Sequence, residues 1–122
     1  VCSSDLAFAA KAPVDAAIVA SDAAISYVSN TITDATGASL LDRGLVLGVT
    51  EYGEGWKHSD NEMPVVIAGR AGGRLRQGVH AREPDGNLCK AQLTALRALG
   101  LPFTSFGWNG AETSATLSGV LV

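Results

Sequence analysis

Two continuous apolar runs of strand length, Leu45-Val46-Leu47-Gly48-Val49-Thr50 and Pro64-Val65-Val66-Ile67-Ala68, constrain this chain more than any other feature. A strand with one wet face alternates apolar and polar residues, whereas a run that is apolar at successive positions belongs to a strand covered on both faces, as in α/β sheets. Between the two runs lies EYGEGWKHSDNEM, residues 51–63. A parallel pair needs a crossover of a dozen or more residues, usually including a helix. This segment has two glycines, many polar groups and little helical periodicity. Strands at about 44–50 and 64–68 are therefore expected to pair antiparallel across a broad polar loop. The end of the first and the start of the second then share one sheet edge. That edge gathers Glu51, Tyr52, Trp56, His58, Asp60 and Glu62. Ligand sites in α/β sheets lie beyond strand carboxyl ends, and a long loop rich in functional side chains is a site candidate.

The flanks read as helices. Asp15 can cap a helix over about 16–32, with Ile18, Ile25, Val28 and Ile32 on one stripe. Ser39 to Arg43 forms a short connection. Asn87 caps a second helix from about Leu88 to Leu99, with Leu88, Ala91, Ala95, Leu96 and Leu99 as its apolar face. Gly100 supplies the stop and Pro102 prevents continuation. In the Gly-, Ser- and Thr-rich tail, Phe106 and Trp108 are expected to cover the sheet edge.

Composition narrows the function classes. With 122 residues the chain suffices for one small domain, and 47% hydrophobic against 17% charged residues argues for folding. A net charge of −3 argues against a nucleic-acid surface. The one dense basic stretch, Arg70, Arg74, Arg76 and Arg82, is interrupted by glycines and reads as a solvated loop. No apolar run approaches the roughly 20 residues of a membrane span. Cys2 and Cys89 give neither a disulfide framework nor a metal spacing, and Cys89 reads as a small buried hydrophobe. GRAGGRLRQG lacks the Gly-Lys-Ser/Thr ending of a phosphate loop, so its glycines are assigned to positive-φ turns or close backbone approach. Trp56 is read as a lid aromatic or a packing anchor, with packing preferred, and His80 as a surface or hydrogen-bonded structural residue. Ser59, Ser105 and Thr113 have no base at motif spacing.

The opening VCSSDL, residues 1–6, reverse-translates to a string resembling the end of a DNA sequencing adapter. On that reading residues 7–122 are a partial α/β domain, and the missing N-terminal part of the domain is its first partner; it is preferred to the alternative, the mature terminus of a secreted protein.

A strand running into an acid, a short glycine-containing loop, a His, then N-x-x-P and a second apolar strand resembles the metal-site region of the alkaline phosphatase-like superfamily. Here the pieces are V-T-E-Y-G (49–53), His58 and N-E-M-P-V-V-I-A-G (61–69). Over nearly the whole chain after Leu6, the order S-L-L-D (39–42), T-E-Y-G-E-G (50–55), H-S-D-N-E-M-P-V-V-I-A-G (58–69), A-G-G-R-L-R-Q-G (71–78) and L-C-K-A-Q-L-T-A-L-R-A-L-G-L-P (88–102) is similar to the C-terminal end of the HXXSHH-motif family of bacterial proteins. The resemblance implies the C-terminal portion of an alkaline phosphatase-like α/β sheet with flanking helices, and export to the periplasm, cell surface or exterior. It implies a metal-dependent hydrolase-like protein acting on phosphate or sulfate esters, with a divalent metal as cofactor and a small ester as substrate. Glu51 stands where the superfamily has a metal-binding Asp, and His58 matches a later ligand His; Asp60, on the same loop but outside that correspondence, could supply a third ligand or stand beside one. Tyr52 stands where a ligand His is usual. Neither the nucleophile nor a His-x-x-Ser-His-His run occurs in these residues, so the chain alone is not expected to be active. The alternative is a non-catalytic exported binding or surface protein that keeps the fold and has lost the site.

Overall fold

The computed structural model describes residues 32–84 and 86–122. Four elements of regular α or β structure appear among them: α1 (Leu40–Arg43), β1 (Leu45–Val49), β2 (Val65–Gly69) and α2 (Leu88–Ala98), with a 3-10 turn at Ala71–Gly73 between β2 and α2. The helix expected over 16–32 lies outside the described residues, apart from Ile32, which is not helical. No helix among the described residues is long and apolar enough to cross a membrane.

β1 and β2 pair antiparallel, with Leu45 opposite Gly69, Leu47 opposite Ile67 and Val49 opposite Val65. Directly opposed residues share a face, and alternate pairs take opposite faces. Leu45 and Ile67 therefore point the same way. They pack on the core cluster of Ala71, Leu75, Ala98 and Val120, together with Leu117 and Leu121. The other face carries Val46, Gly48, Val66 and Ala68. Val66 is 48% exposed there. Val49, on the core face, is exposed to the same degree, while Val46, Gly48 and Ala68 are half-buried, so the cover expected on both faces is partial and is weakest at the loop end of the ribbon.

The glycine-rich segment after β2 is a backbone socket. Arg70 N donates to Leu41 O at 2.7 Å and Ala71 N to Gly44 O at 3.0 Å, so successive amides grip the end of α1. A Cβ on Gly69 would lie 2.5 Å from Gly44 O, at a φ of +114°. Only glycine satisfies both the close approach and that dihedral. Gly72, Gly73 and Gly78 sit at φ values of 68°, 90° and 68°, turns that account for these glycines without a phosphate. The final residues close the core from the other side: Arg76 N donates to Val120 O at 2.9 Å and Val122 N to Arg74 O at 3.1 Å.

Helix α2 has the expected ends. Asn87 accepts from Lys90 N at 3.2 Å, and its amide also donates to Ala111 O at 3.0 Å. Gly100 N donates to Arg97 O at 2.9 Å and Leu101 N to Leu96 O at 3.1 Å, a Schellman stop. Its buried face differs from the expected one. Ala91 and Ala95 are buried as expected, but Leu93, Thr94 and Ala98 join them, while Leu88 and Leu96 are half-buried and Leu99 is exposed. The face is set by close approach of the tail, which small residues permit. Thr94 supplies the polar contact there, donating to Lys90 O at 2.6 Å and accepting from Leu117 N at 2.8 Å. Cys89 is half-buried and carries a free thiol, not the buried side chain expected.

Candidate functional site

The segment from Thr50 to Pro64 projects from the edge where β1 ends and β2 begins, as the antiparallel pairing requires. It folds as a second, smaller hairpin. Gly53 N donates to Ser59 O at 2.8 Å, Ser59 N to Glu54 O at 3.3 Å, and residues 55–58 form the turn. Gly53 is indispensable here, because a Cβ would lie 1.7 Å from the Asn61 carbonyl oxygen. The missing side chain lets the two limbs of the loop pass close together. Arg82 grips the outer limb through an ion pair with Glu62, with Nε 3.2 Å from Oε2. That guanidinium holds the Glu62 carboxyl below the usual carboxylate range.

Glu51, His58 and Asp60 are all exposed on this loop. Glu51 follows β1 directly, His58 closes the turn, and Asp60 begins the return limb. His58 and Glu62 have φ values of 51° and 55°. Non-glycine residues adopt this left-handed region at a cost of roughly 1–2 kcal/mol. The Tyr52 ring stacks on the His58 imidazole, with centroids 4.7 Å apart and planes 21° from parallel. Tyr52 thus occupies the neighbourhood of His58 as an aromatic partner. Among the described residues, no group of three or more His, Cys, Asp and Glu side chains is placed to hold a metal ion. Glu51, His58 and Asp60 do not make a complete metal site by themselves.

Trp56 is 65% exposed at the turn, not the packing anchor expected. The Lys57 ammonium sits 4.5 Å from its ring centroid, and Glu54 holds that ammonium at 2.7 Å. Trp108 is likewise exposed, on the turn of a hairpin in which Phe106 pairs with Thr113, so it does not cover the sheet edge. His80 is exposed, in keeping with a surface role.

At the opposite end of the ribbon, past the carboxyl end of β2, an open cleft of about 430 Å³ is lined in part by Ser39, Asp42, Gly69, Arg70 and Gln77. The sequence reading missed it because it is assembled from α1, the end of β2 and the segment beyond the glycine turn. Its one local signal was the short helix α1, which Ser39 caps by accepting from Leu41 N at 3.2 Å.

No protein-family model, curated protein or solved structure matches the chain.

Proposed function

We propose that the chain belongs to an exported α/β protein of alkaline phosphatase-like type, in which the hairpin loop 51–63 faces the ligand. In this reading the parent is a hydrolase of phosphate or sulfate esters. Glu51 and His58 are two donors for a divalent ion and Asp60 is a third donor or its neighbour. The observation that supports it is the antiparallel ribbon, which brings Glu51 and His58 onto one exposed loop at one edge. Because these residues do not complete a site, further donors and the nucleophile come from elsewhere in the fold, and the chain alone is inactive. The test is hydrolysis of p-nitrophenyl phosphate and p-nitrophenyl sulfate by the protein as its host makes it. Hydrolysis that disappears in a Glu51→Ala, His58→Ala variant supports the reading. A folded protein that cleaves neither ester counts against it.

One observation favours a second reading. The stacking of Tyr52 on His58 places an aromatic ring beside the imidazole at the position where a ligand His is usual. A non-catalytic binding protein that keeps the fold and has lost the metal site accounts for that contact directly.

A further inference from the structure

The hairpin closed by Phe106 and Thr113 carries a dipeptide with chemistry of its own, Asn109-Gly110. Phe106 N donates to Thr113 O and Thr113 N to Phe106 O, each at 2.9 Å, and Ala111 N donates to Trp108 O at 3.2 Å across the tip. Asn109 and Gly110 are the central residues of that tip turn, with φ values of 54° and 90°. Positive φ at both positions makes the primed turn that joins antiparallel limbs, for which Asn-Gly is a favoured pair. Both residues are exposed, and a Cβ on Gly110 would meet nothing within 4 Å. Among the described residues, the Asn109 side chain has no hydrogen-bond partner and the Gly110 amide has no acceptor. Asn87 is the contrast: its side chain accepts from Lys90 N and donates to Ala111 O, so it is pinned at both ends.

We propose that Asn109 is a site of spontaneous deamidation, in which the Gly110 amide nitrogen attacks the side-chain carbonyl carbon of Asn109. The new bond joins Gly110 N to Asn109 Cγ and closes a succinimide ring. The Cγ–Nδ2 bond breaks, and ammonia leaves with the proton that the backbone amide gives up. Water then opens the ring at either carbonyl and leaves aspartate or isoaspartate at position 109. Glycine suits the attacking position because it has no side chain to shield its nitrogen or to resist a change of backbone angle. The local hydrogen bonds that often tie an Asn side chain to neighbouring backbone are missing at Asn109, so its amide is free to swing toward that nitrogen. The product unlatches the tip from α2. Isoaspartate adds a methylene to the main chain inside the tight turn between Trp108 and Ala111. Ala111 O accepts from the Asn87 amide at 3.0 Å, so a disrupted tip loosens the residue that caps α2. This site needs no metal and is independent of the loop 51–63.

The test incubates the folded protein, as its host makes it, at pH 7, 8 and 9 and maps its peptides by mass spectrometry, with a urea-unfolded sample in parallel. The expected result is ammonia release, a gain of one mass unit in the peptide that spans 109–110, and isoaspartate detected there with an isoaspartate methyltransferase. The rate should rise about tenfold per pH unit, because the amide must lose its proton before it attacks. Asn109→Gly keeps a residue suited to the turn and has no side chain to react, so it shows no such gain. In hydrogen exchange, the aged wild type loses protection at Ala111 and Thr113 that equally aged Asn109→Gly keeps. An Asn109 that stays intact in the folded protein after the unfolded chain has converted overturns the proposal, since the turn then holds the reacting atoms apart. Conversion that leaves protection at Ala111 and Thr113 unchanged overturns the unlatching.

Discussion

Replacing Thr94 by valine tests how the helix holds the tail. Thr94 is fully buried, and its hydroxyl is the acceptor for Leu117 N at 2.8 Å. Valine matches threonine in shape, so packing is conserved and the hydroxyl alone is removed. The lost donation to Lys90 O matters little, because back-bonding of this kind to the preceding turn contributes little to a helix. The Leu117 amide is different: it is left without its partner in a partly buried position. An unpaired amide in such a place costs about 1–3 kcal/mol, which lowers Tm by roughly 5–15 °C for a domain of this size. Thr94→Ser keeps the hydroxyl and loses one methyl, at a cost of about 1 kcal/mol. Thermal unfolding followed by circular dichroism should therefore rank wild type above Thr94→Ser above Thr94→Val. Hydrogen exchange should show the Leu117 amide unprotected in Thr94→Val alone. The reasoning fails if Thr94→Val is as stable as wild type, or if Thr94→Ser is the weaker of the two.

Glu83 accepts from Ser118 N at 2.7 Å and pairs with Lys90, and the Lys90 hydrogen bond, followed by the Ser118 amide, holds its carboxyl below the ordinary range. A depressed carboxyl stabilises the fold above its unfolded pKa, about 4.3, and that contribution is lost as pH falls through the folded value. Urea unfolding of wild type and Glu83→Gln should thus differ at pH 7 and converge on acidification; a difference that grows below pH 4 contradicts the assignment. Arg97 donates to the carbonyls of Phe103 at 3.0 Å, Thr104 at 2.8 Å and Ser114 at 3.2 Å. Lysine cannot reproduce that fork, so Arg97→Lys should cost about 1–2 kcal/mol and raise hydrogen exchange over 103–114, with no change in exchange there refuting the clamp. Gly53→Ala forces the limbs of the loop apart, so it should cost about 1–3 kcal/mol and abolish the nuclear Overhauser contacts between the Tyr52 and His58 rings, whose survival would refute the close approach.

Features governed by neighbouring residues were legible in the sequence. Asn87 and Gly100 mark the ends of α2 because capping and the left-handed stop are local requirements. The apolar runs and the glycine-bearing loop gave the antiparallel pair for the same reason: a 13-residue polar segment without helical periodicity leaves little room for a crossover. The buried face of α2 was not legible, because it depends on where the tail docks, and Thr94 looks like a surface residue until Leu117 N is placed against it. The long-range pair of Glu62 with Arg82 leaves no spacing signal. Trp56 was misjudged because an aromatic residue is ordinarily a packing residue, and its exposure follows from its place on a four-residue turn. The candidate site was legible as a loop and as a set of residue types. The Tyr52–His58 stack within it required the hairpin that folds the two rings together.

The metal content of the protein as its host makes it, purified without chelators and measured by inductively coupled plasma mass spectrometry, tests the central claim most directly. The account predicts a stoichiometric divalent ion in the wild type that is lost from the Glu51→Ala, His58→Ala variant. A folded wild-type protein with no bound ion at any stage of purification would contradict it and leave the non-catalytic binding protein as the reading of this loop.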